Sequence, residues 1–220
     1  IGQSNETCSY MKQKSKKPIF LYRNLTKPNF KQIDNSKVSN TKKKIVYAGL
    51  LGLAQGVFNI CKNIDFKSLD LEFHIFGEGI EKNSIENFIQ QNSECNIFLH
   101  QTINKDEMQN ELLSYDATII PLTKNIYGAF PSKITMAMAA GLPIFFSGDG
   151  EGFKIVDEFK LGYVSKAGNL NALEKNIIEF SKLNHQQINL MKINIINVVK
   201  KDFNYADQQS KLCKFISSLI

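Results

Sequence analysis

Residues 121–152 read PLTKNIYGAFPSKITMAMAAGLPIFFSGDGEG, and this stretch decides the fold because a loop, a helix, a strand and a second loop follow one another within it. Pro121 closes the apolar run Ala117-Thr118-Ile119-Ile120, so a strand ends there and the polar, Gly-interrupted residues 124–130 form a loop. Pro131 suits a first helical turn and Ser132 can cap one, after which Ile134, Met138 and Ala139 repeat at helical spacing. The small side chains of Ala137, Ala139 and Ala140 let that helix lie close against whatever covers it. Gly141 stops the helix, and Leu142 to Phe146 reads as a buried strand with its proline confined to the beginning. Ser147 to Gly152 is too glycine-rich for either element and makes a second loop, just before the next helix.

A helix N-terminus carries unpaired N–H groups and a partial positive charge, so a loop that delivers a ligand there favours anions. Lys133 falls in the first turn and brings an ammonium to the same place. On their own these residues also read as a plain helix start with a solvated lysine.

Working outward, a strand at 45–48 is followed by the loop Gly49 to Gly56 and a helix through about Ile64. A strand at 71–76 runs into Gly77-Glu78-Gly79 and a helix near 82–91. Ile97-Phe98-Leu99 leads to His100-Gln101-Thr102 and a helix near 105–114. After the central stretch come a helix near 151–160, a strand at 162–164 and helices near 169–183, 186–200 and 204–218. Strands separated by helix-length segments predict βαβ units: an α/β, Rossmann-like parallel sheet of about six strands with helices on both faces. Before this alternation, residues 4–16 fit a short helix capped by Ser4, residues 19–22 a strand, and the Asn-rich residues 23–41 a linker.

The 220 residues are 43% hydrophobic and 22% charged, which is ordinary for a globular chain with one good-sized core. No apolar run reaches the length of a membrane span, and the opening Ile1-Gly2-Gln3-Ser4 lacks the regions of a signal peptide. The first residue is not Met, so a fragment of a longer protein is expected. Cys8, Cys61, Cys95 and Cys213 stand far apart, against a zinc knuckle or a disulfide framework and for reduced thiols in the cytoplasm. The net charge of +6 is concentrated in Lys12 to Lys17 and Lys42 to Lys44. Such runs are solvated faces or contacts to anionic headgroups at a membrane surface. Without interleaved aromatics they do not predict nucleic acid.

In a parallel sheet, ligands bind at the carboxyl ends of the strands. The unusual residues fall on that edge: 49–56, 77–79, 100–102, 121–133 and 147–152. A phosphate ligand is the expected occupant. The first loop reads GxxGxxxG rather than GxGxxG, and GxxxxGK[ST] is absent, which weakens the dehydrogenase and P-loop readings. Gly49 and Gly52 allow close backbone approach, and Gln55-Gly56 opens a helix whose N–H groups suit a diphosphate.

In that order VYAGLLGLAQGVFNI (46–60), HIFGEG (74–79), NIFLHQTINKDEM (96–108), PSKITMAMAAGLPI (131–144) and GDGEGFKIVDEFKLGYV (148–164) resemble the C-terminal half of a GT-B glycosyltransferase of the family-4 type. Bacterial enzymes of capsule and O-antigen assembly are the nearest in pattern. The resemblance implies three parts: a tail of the acceptor domain and a linker at 1–40, a nucleotide-sugar-binding domain at 41–202, and a C-terminal helix at 203–220. It implies diphosphate contacts from Gly49, Gly52, Gln55 and Gly56, base contacts from Gly77, Glu78, His100, Gln101 and Thr102, and ribose and sugar contacts from Pro131, Ser132 and Lys133. Lys133 takes the catalytic role of steadying charge on the leaving diphosphate. The implied reaction is retaining hexosyl or N-acetylhexosaminyl transfer from a nucleoside-diphosphate sugar to a glycan or lipid-linked acceptor, with no cofactor and no metal. Many members carry two glutamates that would fall at Gly128 and Met136, and Glu151 is the expected replacement for a lost carboxylate. Two further readings stay open: a sugar epimerase of similar build, and a degenerate pseudo-transferase acting as a partner protein.

Overall fold

The computed structural model describes residues 1–30, 42–124, 128 and 130–219; the reading of 31–41 as a linker lies outside them. In chain order the elements are α1 (Asn5–Lys14), β1 (Lys43–Ala48), α2 (Val57–Asn63), β2 (Leu71–Phe76), α3 (Lys82–Gln91), β3 (Ile97–His100) and α4 (Lys105–Glu111). They continue with β4 (Ala117–Pro121), α5 (Ser132–Ala139), β5 (Ile144–Ser147), α6 (Gly150–Glu158), β6 (Gly162–Ser165), α7 (Leu170–Ser181), α8 (His185–Lys201) and α9 (Tyr205–Ser217). The six strands form one sheet in the order β3-β2-β1-β4-β5-β6, and every neighbouring pair is parallel.

Because successive side chains of a strand point to opposite faces, the apolar runs supply two cores at once. Ile45, Tyr47, Phe73, Ile75, Ile119 and Phe145 face α2, α3 and α7, where Ile60, Ile85, Leu173 and Phe180 meet them. Val46, Phe76, Ile120, Ile144 and Phe146 face α4, α5, α6 and α8, packing on Met108, Ile134, Ala137, Val156 and Ile195.

Three local expectations are corrected. Residues 19–22 form no strand but one bridge between Gly2 and Leu21: Gly2 exchanges backbone hydrogen bonds with Phe20 and Tyr22 at 2.9 Å, and the Gln208 side chain then takes both the N–H (3.0 Å) and the carbonyl (2.7 Å) of Arg23. Pro131 is the N-cap of α5 and Ser132 its first helical residue, with no side-chain cap bond. β5 starts two residues late, because Pro143 has no N–H and the Leu142 N–H turns back to the Ala137 carbonyl at 2.9 Å.

At Gly162, which opens β6 with φ +153°, a Cβ would overlap the Ile144 carbonyl oxygen. Gly162→Ala is expected to lower unfolding free energy by about 2 kcal/mol, checked by urea denaturation.

Candidate functional site

β1 lies between β2 and β4, and the order of connection reverses there. The chain leaves β1 toward β2 on one side and leaves β4 toward β5 on the other, so the two sets of loops diverge and open a crevice above the carboxyl ends. A cavity of about 600 Å³ occupies it, a size suited to a small-molecule ligand.

The floor of the cavity is made of hydrogen-bonded backbone. Past the strand ends, the Gly49 N–H donates to the Phe76 carbonyl and the Leu51 N–H to the Glu78 carbonyl, both at 2.8 Å, and the Glu81 N–H donates to the Leu51 carbonyl at 3.0 Å. The first two loops therefore prolong the parallel pairing. Gly77 is required for this: a Cβ there would overlap the Gly49 carbonyl oxygen.

Lys133 enters this floor from α5. Its ammonium sits 3.1 Å from the Tyr47 hydroxyl and 4.4 Å from the centre of the Tyr47 ring, in the space a Cβ on Gly49 would fill. Burial lowers its pKa from 10.5 to about 8. No carboxylate among the described residues forms an ion pair with it. A partly dehydrated cation without a counter-charge, lining an open cavity, gives that end of the cavity a positive potential.

Of the residues expected at the site, Gly49, Gly77, Glu78, Thr102, Ser132 and Lys133 line the cavity together. Gly52, Gln55 and Gly56 do not. The loop folds over at Gly52, whose carbonyl accepts from the Gln55 and Gly56 amides at 3.0 and 3.1 Å, and Ala54 is held by the Thr123 N–H at 2.8 Å. The start of α2 is also filled, since the buried Glu81 carboxylate accepts the Phe58 N–H at 3.3 Å. Pro131 caps α5 beside the cavity without lining it. Glu151 is the clear correction. It is 5% exposed, forms an ion pair with Arg23, and accepts from Asn5 through both its N–H (2.6 Å) and its side-chain amide (3.0 Å). Its carboxylate is engaged in docking the first thirty residues, and it does not line the cavity.

His100 and Gln101 lie one step behind the wall, at the end of β3. His100 stacks on Phe76 at 4.4 Å, and its Nε2 is 2.9 Å from His74 Nδ1, while His74 Nε2 is 3.1 Å from the Glu72 carboxylate. Burial lowers both imidazole pKa values, so the rings are neutral near pH 7. Glu72 then accepts from His74, and His74 in turn accepts from His100.

Among the other wall residues, Asn24 and Thr26, from the segment read as a linker, and Met108 carry no signal in the sequence, and Met136 lines the wall beside them. The Thr135 hydroxyl fixes that segment by donating to the Asn24 carbonyl at 2.9 Å. Met136 stands where the family pattern has a glutamate and makes that wall apolar.

The model of the family described as glycosyl transferases group 1 matches residues 29–195. No curated protein matches the chain. Among solved structures, a point mutant of S. aureus TarM in complex with Fondaparinux, alpha-GlcNAc-glycerol and UDP superposes with a TM-score of 0.69 at 19% identity, over 98% of this chain and 42% of that one. The C-terminal domain of the glycosyl transferase group 1 family protein LpcC from Francisella tularensis gives 0.61 at 14% identity, over 75% of this chain and 88% of that one. WaaG, a glycosyltransferase involved in lipopolysaccharide biosynthesis, gives 0.62 at 13% identity, over 82% of this chain and 50% of that one. At these identities the likeness is one of fold, and the chain spans about two fifths of the TarM structure.

Proposed function

Because the chain belongs to the glycosyl transferases of group 1, we propose that it forms the donor-binding half of a retaining enzyme that moves a hexosyl or N-acetylhexosaminyl unit from a nucleoside-diphosphate sugar to a glycan or lipid-linked acceptor in surface polysaccharide assembly. The work would take place in the cytoplasm, at the inner face of the membrane, with the lysine runs toward anionic lipid. The observation that carries this reading is the half-buried Lys133 ammonium, without an ion-pair partner among the described residues, in the floor of the cavity.

In the reaction, the bond between the anomeric carbon and the diphosphate oxygen breaks, the acceptor oxygen bonds to the same face of that carbon, and the acceptor proton leaves with the diphosphate. Negative charge grows on the departing oxygen. Lys133, held in place before the ligand arrives, meets that charge at no reorganisation cost. No metal has a part in this scheme.

Titration calorimetry of this chain with UDP, GDP, ADP and dTDP tests the reading, and absence of heat with all four overturns it. Binding should also depend on pH with a definite sign. Lys133 is charged below about pH 8 and largely neutral above it. Affinity is expected to be flat below that pH and to fall by about tenfold per unit above it, as binding must then recruit a proton.

A further inference from the structure

We propose that Tyr47 is the positioning residue for Lys133, its hydroxyl and ring together fixing the lysine ammonium at the carboxyl end of β1 before a diphosphate arrives. The inference rests on the reading above only for the identity of the ligand.

The two residues come from opposite sides of the sheet. Tyr47 is fully buried among the side chains that face α2, α3 and α7, whereas α5 packs on the other face through Ile134, Ala137 and Met138. Lys133 can reach Tyr47 only over the rim, where Gly49 has no side chain to block the path. The sense of the hydrogen bonds there is forced. The Tyr47 hydroxyl donates to the Leu50 carbonyl, which can only accept, so its oxygen is left to accept from the lysine. The ring face adds a cation–π contact from the same side. One ammonium N–H is thereby committed and the others remain for ligand oxygens. Fixing a flexible lysine in advance removes an ordering cost from binding. Through the Tyr47 hydroxyl, the Leu50 carbonyl also links the first loop to the lysine.

The charged groups nearby do not substitute for Tyr47. Burial raises the Tyr47 pKa and Glu81 adds to it as the lesser cause, but the Glu81 carboxylate is engaged with the Phe58 N–H. Glu78 is paired with Lys82 at 2.6 Å. Lys105, on α4, lines the same cavity from an exposed position.

Tyr47→Phe tests the inference, because it keeps the ring and removes only the acceptor oxygen. The first measurement needs no ligand: the pH dependence of Lys133 acylation by an amine-reactive reagent, followed by mass spectrometry. In the unaltered chain the midpoint should lie near 8. In Tyr47→Phe it should fall by about one unit, since the charged form loses a hydrogen bond. In the second measurement, pyrophosphate affinity near pH 7 should drop about tenfold on Tyr47→Phe in the parent chain and less than about twofold in a Lys133→Ala background. An unchanged acylation midpoint, or equal losses in the two backgrounds, overturns the inference. Gly49→Ala is a second route. Its methyl takes the ammonium's place and should push the lysine toward solvent, raising the midpoint; a midpoint that stays put would equally count against a fixed position. If the midpoint shifts in Tyr47→Phe yet no nucleotide binds, the Tyr47–Lys133 coupling stands and the nucleotide reading falls.

Discussion

Lys133→Ala is expected to weaken nucleoside diphosphate binding by about a hundredfold near pH 7 while changing the affinity for the bare nucleoside by less than about twofold. Removing one partner of a buried charge pair costs on the order of 2–5 kcal/mol, because the remaining charge is left in a poorly solvated place, and a hundredfold is in the lower half of that range. Lys105 lines the same cavity but is exposed, so solvent screens it and it does not compensate. Parallel titrations with a diphosphate and its nucleoside decide the matter, and equal losses for both would remove Lys133 from the phosphate site. Stability should respond with the opposite sign. The folded pKa near 8 lies below the ordinary value of 10.5, so the unfolded chain binds the proton more tightly. The penalty of burying this charge is full below about pH 8 and disappears as pH rises through the unfolded pKa. Lys133→Met, which keeps the stem and removes the charge, should therefore melt higher than the parent chain at pH 7 and lose that advantage in alkaline buffer.

Glu151→Ala should be the most damaging of these substitutions to the fold, at about 3 kcal/mol, since it strands a half-buried guanidinium. The Arg23 and Glu151 side chains are 17% and 6% exposed. The guanidinium lies against the Phe130 and Phe203 rings, and the Arg23 Nε already has no hydrogen-bond partner among the described residues. Thermal or urea unfolding measures the loss. The fraction that remains folded should bind diphosphate as before, because Glu151 is directed at the first thirty residues and away from the cavity. Weakened binding in a chain of undiminished stability would return Glu151 to the ligand site.

The sheet was legible because it depends on local patterns repeated along the chain. Runs such as Ile45 to Ala48 and Leu71 to Phe76 alternate with helix-length segments, and a parallel sheet buried on both faces leaves few other arrangements. Lys133 and Gly49 were legible for a similar reason, each falling at the edge of a regular element. The misplaced residues depend on contacts distant in sequence. Nothing near Glu151 announces Arg23, 128 positions away. Nothing near Gly56 tells that Glu81 fills the start of α2. Tyr47 reads as one more apolar strand residue, and only the meeting of two faces over Gly49 gives its hydroxyl a task. Residues 19–22 show the opposite failure, a run with strand composition but a backbone partner at a single position.

The stitching of the chain's two ends has a consequence for its biosynthesis. Asn24 and Thr26 belong to the cavity wall, and the stretch just before them is gripped by α9, through Gln208 on the Arg23 backbone, Gln209 on the Tyr22 hydroxyl and the Phe215 ring stacked on Phe20. On the ribosome, Thr135 and Glu151 can hold this stretch as soon as α5 and α6 have been made. The clamp from behind must wait for α9, almost two hundred positions later, so the wall of the pocket receives its last support at the end of synthesis.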